Sequence, residues 1–182
     1  MQQYGFTLEP GEKVLRIIHR HWIDLLPSFT SAAFLAILAV GVVVIDTRFS
    51  SDIPFSHLMV LSLALAILAV GAMIFLVSIY VYNRNVLIFT SVHLIEVEQL
   101  GIVNRTISQV NFTRVQDVTA TRDGILATIL NYGNVEIQSA GREDKFLFRT
   151  APNPEAIADA SREAHEQSMR DQAAQGIPPV AV

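Results

Sequence analysis

No cysteine occurs in the 182 residues, so neither a disulfide framework nor a thiolate metal site is available. Charge is also scarce: Asp, Glu, Lys and Arg make up 16% of the chain, against roughly 25% in an ordinary soluble domain, while 51% is hydrophobic. The formal net charge of −4 gives no general attraction to nucleic acid or anionic lipid. The chain also lacks a phosphate-cradling glycine loop, a serine nucleophile elbow, a paired-acid constellation and an H-x-x-x-H or H-E-x-x-H spacing among its five histidines. Those absences point away from an enzyme, a cofactor and a small-molecule substrate.

The charge is missing from two places. Leu25 to Ile45 (LLPSFTSAAFLAILAVGVVVI) and Leu58 to Val81 (LMVLSLALAILAVGAMIFLVSIYV) run 21 and 24 residues without one charged side chain. At about 1.5 Å per residue they reach roughly 31 and 36 Å as helices, enough for a hydrocarbon core of about 30 Å. A buried core helix seldom runs uncharged for so long. A cleaved signal peptide would start earlier and carry a small-x-small site before Asp46. Both runs therefore read as transmembrane helices.

Lys13, Arg16 and Arg20 precede the first run and Arg84 follows the second, whereas the connection DTRFSSDIPFSH holds only Arg48. The basic excess at the outer ends of the hairpin places both termini in the cytoplasm of a two-span cell-membrane protein. Arg20, Trp22, Tyr80, Tyr82 and Arg84 are the expected anchors at the membrane interface. Ala32 with Ala36 and Ser62 with Ala66 are small-xxx-small pairs, which with Gly41 and Gly71 suit close packing within the hairpin or against a second copy.

After Arg84 the pattern changes to short alternating segments. Asn85–Phe89, Val92–Leu100, Ile102–Val110 and Val115–Thr121 read as strands, the second and third joined tightly around Gly101. NVEIQS and KFLFR alternate as a hairpin with one wet and one dry face, turned by Ala140 to Asp144. Between them DGILATILNYG has Ile125, Leu126, Ile129 and Leu130 at helical spacing, ended by Gly133, a plug expected to pack on the sheet. Asn153 as N-cap and Pro154 at the first helical position open a last helix to about Asp171, with a stripe of Ile157, Ala160, Ala164 and Ser168.

The expected organisation is a cytoplasmic lead-in (1–24), a transmembrane helix (25–45), an extracytoplasmic loop (46–57), a second transmembrane helix (58–82), a β-rich cytoplasmic domain (83–172) and a flexible tail (173–182). The spacing of Val14, Leu15, Ile17 and Ile18 suits a strand or an interfacial helix equally.

The block RTISQVNFTRVQDVTATRDGILATILNYGNVEIQSAG resembles the bacterial pleckstrin-homology-like (PH-like) membrane proteins of the YdbS type. The matching residues are Val115, Gln116, Asp117 and Val118, then Leu126, Ile129, Leu130, Tyr132 and Gly133, then Val135, Ile137, Ala140 and Gly141. GEKVLRIIHRHWIDLLP (Gly11 to Pro27) is similar to the family's lead-in. Where the family has T-x-x-R after the second span, this chain has Thr90-Ser91-Val92-His93. The resemblance implies a membrane α-helical hairpin carrying a PH-like, partly closed antiparallel barrel capped by a C-terminal helix, with Asp117, Gly133 and Gly141 as structural motif residues.

Two functions compete. The first is a non-enzymatic interaction or scaffolding module that touches the bilayer and a protein partner or second copy, using an exposed strand edge to accept another chain. The second is a lipid or envelope-stress sensor, for which Arg142, Lys145 and Arg149 are the closest basic grouping, interrupted by Glu143 and Asp144. Asp117 reads as a strand-end acid that satisfies backbone donors in a neighbouring turn.

Overall fold

The computed structural model describes residues 11–49, 57–139 and 146–174. These divide into two compact units, one formed by residues 22–82 and the other by the flanking segments before and after it.

The first unit is a helical pair. A 3-10 turn (Trp22–Leu25) leads into α1 (Leu26–Phe49), and α2 covers His57–Arg84. Both helices are long and apolar enough to cross a membrane, and most of their side chains are not buried within the protein. They pack through small residues. A Cβ on Gly71 would stand 3.4 Å from the Leu35 Cβ and 3.7 Å from the Ala32 Cα, whereas one on Gly41 would meet nothing within 4 Å. Ser28 Oγ donates to Ser78 Oγ at 2.7 Å near one end, and His57 Nδ1 meets Asp46 Oδ2 at 2.6 Å near the other. Asp46 thus belongs to α1 rather than to a loop, because the helix continues past the uncharged run.

The second unit is made of two antiparallel sheets and a helix. One sheet has the order β1-β2-β3-β4, from β1 (Val14–His19), β2 (Val86–Thr90), β3 (His93–Gln99) and β4 (Arg105–Asn111). The other has the order β5-β6-β7, from β5 (Val115–Thr121), β6 (Tyr132–Ser139) and β7 (Phe146–Pro152). A 3-10 turn (Phe112–Arg114) joins the sheets, α3 (Ile125–Leu130) joins β5 to β6, and α4 (Pro154–Ala174) follows β7. The sheets form a partly closed barrel: His21 N–H donates to the Thr150 carbonyl at 2.6 Å, and the His21 ring stacks on Tyr132.

The lead-in is a strand. Val14–His19 pairs with β2, with Ile17 opposite Ile88 and His19 opposite Val86, so residues from both sides of the helical pair complete one sheet. The spacing of its apolar residues suits strand and helix alike, and β2 decides between them by supplying a hydrogen-bonding edge.

The main core gathers Ile18, Leu87, Phe89, Leu94, Val110, Phe112, Val115, Val118, Val135, Ile137, Phe148 and Ile157. Val86, Ile88, Ile95 and Val97 form a second cluster, so every residue of β2 is buried. Truncating the fully buried Phe148 to alanine should cost about 3–5 kcal/mol.

Four local expectations change. β3 and β4 meet across a five-residue turn, not tightly at Gly101, because Leu100 N–H bonds to the Asn104 carbonyl and Gln99 Nε2 donates to the Gly101 carbonyl. α3 does not pack its apolar residues on the sheet: only Ala127 is buried, while Ile125, Leu126 and Ile129 are exposed. Asn131, in the left-handed region at φ 55°, ends α3, and Gly133 lies inside β6. α4 buries Ile157 of the expected stripe, and Ala160 and Ala164 pack half-buried against the core, but the buried face is broader than the stripe and takes in Ala158 and Ser161 as well.

Candidate functional site

β5 is the outer strand of its sheet, paired with β6 alone. A bulge between Val115 and Asp117 adds one residue to the strand, so Val115 and Val118 both enter the core although three apart. The bulge leaves Gln116 and Asp117 exposed, and α4 packs on β5 and on the 3-10 turn before it. Two adjoining hollows lie between strand and helix. One, about 300 Å³, is bordered by Asp117, Thr119, Ala120, Glu155, Asp159 and Arg162. The other, about 200 Å³, lies toward Gln116, His165 and Glu166.

Arg162 stands between the hollows. Its Nη2 donates to the Val118 carbonyl at 2.9 Å and its Nη1 to Asp159 Oδ1 at 3.0 Å. An outward carbonyl of an edge strand is thereby satisfied by a side chain instead of a neighbouring strand. Alternation along an antiparallel edge puts the N–H and C=O of Ala120 on the same side. Farther along, His165 Nδ1 lies 2.6 Å from the Phe112 carbonyl; a carbonyl only accepts, so Nδ1 carries a proton. The margin is acidic: Asp117, Glu155, Asp159 and Glu166 surround Arg162 and His165, and Arg122 is paired with Glu155.

Asp117 therefore borders this groove. It lies within β5, not at a strand end, and its Oδ2 accepts from Thr119 Oγ1 at 3.1 Å rather than from turn amides. Gly133 marks a close approach: a Cβ there would sit 2.3 Å from the Thr121 carbonyl oxygen and 3.0 Å from Pro154. Arg149 is exposed on β7, while Gly141, Arg142 and Lys145 lie outside the described residues.

Of the expected interface residues, Arg20 turns into the barrel, where its Nη2 meets Glu98 Oε1 at 3.3 Å and its guanidinium lies 6.0 Å from the Phe148 ring centroid. Trp22 and Tyr80 are exposed on the helical unit, Tyr82 is half-buried, and Arg84 closes α2. Arg20 and Arg149 both act on Glu96, a residue that sequence pattern did not single out. Burial pushes the Glu96 carboxyl up to about 7, Glu98 adds to the rise, and the two arginines oppose it. Its signal in the sequence is weak, since LIEVEQ reads as ordinary alternation with a polar face.

The Thr90–His93 stretch forms the β2–β3 turn. Thr90 Oγ1 accepts from His93 N–H at 2.7 Å, and His93 Nδ1 meets Glu12 Oε1 at 3.0 Å. His93 thus partners the lead-in glutamate from the position where the related motif has arginine.

An incompletely closed barrel of two antiparallel sheets, packed by a C-terminal helix and bearing a groove at an edge strand, defines a small binding module of the PH-like class. The chain belongs to the bacterial PH domain family, whose pattern matches residues 25–165, well over half of its length. That match takes in both long apolar helices and begins after β1. No curated protein and no solved structure matches the chain.

Proposed function

We propose that this protein is a membrane-anchored, non-enzymatic interaction module at the cytoplasmic face, and that the groove between β5 and α4 accepts an extended segment of a protein partner as an added strand. The observation that carries this reading is the Arg162–Val118 contact. An edge carbonyl beside an open groove is satisfied by a side chain rather than by a neighbouring strand. Strand addition supplies main-chain hydrogen bonds, and the flanking hollows supply side-chain selection. The acidic margin favours a segment that carries lysine or arginine.

Panning a library of extended peptides against the full-length protein in nanodiscs tests the reading. Binders enriched in basic residues should lose affinity with Ala120→Pro, which removes an outward N–H, and should keep it with Arg149→Ala. Binders indifferent to Ala120→Pro would sink strand addition. Capture of anionic liposomes that depends on Arg142, Lys145 and Arg149 would favour the headgroup sensor instead.

A further inference from the structure

The end of the β-sheet unit from which the helical pair departs carries an apolar rim. The chain leaves the unit after His21 and returns at Asn83, and pairing of His19 with Val86 places both points at one end of the first sheet. Val86 pairs with Val97, so the β3–β4 turn emerges at that same end. Asn85, directly after α2, holds the turn's base: its Nδ2 donates to the Gln99 carbonyl at 3.2 Å and its Oδ1 accepts from Gln99 N–H at 2.8 Å. The second sheet contributes to the rim through His21, which is bonded to Thr150 and stacked on Tyr132. α3 ends two residues before Tyr132, so it emerges there too.

Both connections are apolar and outward-facing. Leu100, Ile102 and Val103 in the turn and Ile125, Leu126 and Ile129 on α3 are 59–87% exposed. Within the β-sheet unit nine large apolar side chains are exposed among the described residues, and these are six of them; of the other three, Leu15 is as exposed, while Ile17 and Leu147 are little more than a third exposed. Scattered exposed leucines need no explanation, but six gathered on one rim do. The turn has no charge from Leu100 to Asn104, with Arg84 and Arg105 as the basic residues beside it. Arginine stems suit apolar surroundings while their heads stay at the polar boundary.

We infer that the β3–β4 turn and α3 insert into the bilayer interface as paired apolar wedges, giving the domain a second hold on the membrane besides its covalent tether. The inference rests on the membrane-anchored part of the proposed function and is independent of the groove. Its occupant is lipid because the rim is continuous with the two points at which the chain enters the apolar helices. Wedges of this kind reach about 5–10 Å into the headgroup and acyl boundary. They hold the β5–α4 groove at a set attitude instead of leaving it on a swivel.

The absence of native cysteine makes the test direct. Full-length variants Ile102→Cys, Ile129→Cys, Met73→Cys and Ser91→Cys, each labelled with a small fluorophore, are placed in liposomes with and without nitroxide lipids. Met73 lies in α2, and Ser91 lies in the turn at the opposite end of the first sheet. The expected result is loss of fluorescence at positions 73, 102 and 129 and none at 91. Quenching at 73, with 102 and 129 as bright as 91, overturns the wedge and leaves the anchoring intact. No quenching at 73 removes the anchoring and the wedge together. Equal quenching at 91 and 102 means adsorption of the whole surface and also overturns it, as does protection of 102 and 129 that follows protein concentration rather than lipid, the behaviour of a contact between copies.

Discussion

At the scale of single residues, the informative positions are those where local sequence and tertiary environment disagree. Gly133 has the appearance of a turn glycine in ILNYG, yet it is required because β6 passes close to the Thr121 carbonyl, where a methyl group has no room. Gly133→Ala should lower stability by about 2–3 kcal/mol, read as a fall in melting temperature in detergent. Glu96 is the second such position. Its folded carboxyl titrates at about 7, above the ordinary 4.5, so the folded state binds more protons than the unfolded state between those values. The stability this contributes is therefore complete below the ordinary value and is lost as pH rises through about 7. The loss should be on the order of 2–3 kcal/mol by pH 8, and Glu96→Gln should flatten that part of the profile. A variant that melts with the wild-type pH profile would show that Glu96 is not the titrating group.

At the scale of elements, the helical pair and the edge strand behave differently under substitution. Gly71 lies against Leu35 and Ala32, so Gly71→Ile should force the helices apart, while Gly41→Ile, with nothing within 4 Å, should be tolerated. A double variant Ser28→Cys and Ser78→Cys should form a disulfide readily in the wild-type background, given the 2.7 Å approach of the hydroxyls, and poorly with Gly71→Ile. For β1 the decisive partner is β2. The strand has one buried apolar residue, Ile18, and its own sequence is ambivalent, so its conformation follows from the hydrogen bonds waiting on the β2 edge. The bulge of β5 could have been read from VQDV, where two valines three apart interrupt strict alternation. α4's place against β5 could not, because alanines on both faces of the helix leave its orientation to the sheet.

At the scale of the whole molecule, an insertion organises the chain: a helical pair is inserted between the first two strands of a barrel. Residues 83–174 alone leave β2 without β1, and they should aggregate or unfold on expression. The same segment preceded by residues 11–21 through a short flexible linker restores the pairing of His19 with Val86. Such hairpin connections close with two to five residues. That linked chain should melt in one cooperative transition by circular dichroism, and failure to do so would mean that the helical pair is needed for folding. On the proposed membrane topology, reporter fusions at both termini should place them in the cytoplasm, the side expected from the distribution of Lys and Arg around the two apolar runs.

Composition and periodicity by themselves determined the two apolar helices, most strands of the β-rich part and the last helix, while the PH-like class followed from the resemblance of its motif residues to a known family. Each of these rests on a local property: an uncharged run, a two-residue alternation, a capping residue and a turn. Tertiary structure alone decided that the lead-in is β1, that Arg20 points inward, that Glu96 is buried beside Glu98, that Gly133 is a packing position and that β5 and α4 enclose a groove. It also decided that the apolar side chains of α3 face outward, contrary to the packing their spacing suggested. The physical reason is common to all of these. They depend on which segment supplies a neighbour, a hydrogen-bond edge or a low-dielectric wall, and those neighbours lie tens of residues away, where no local pattern records them.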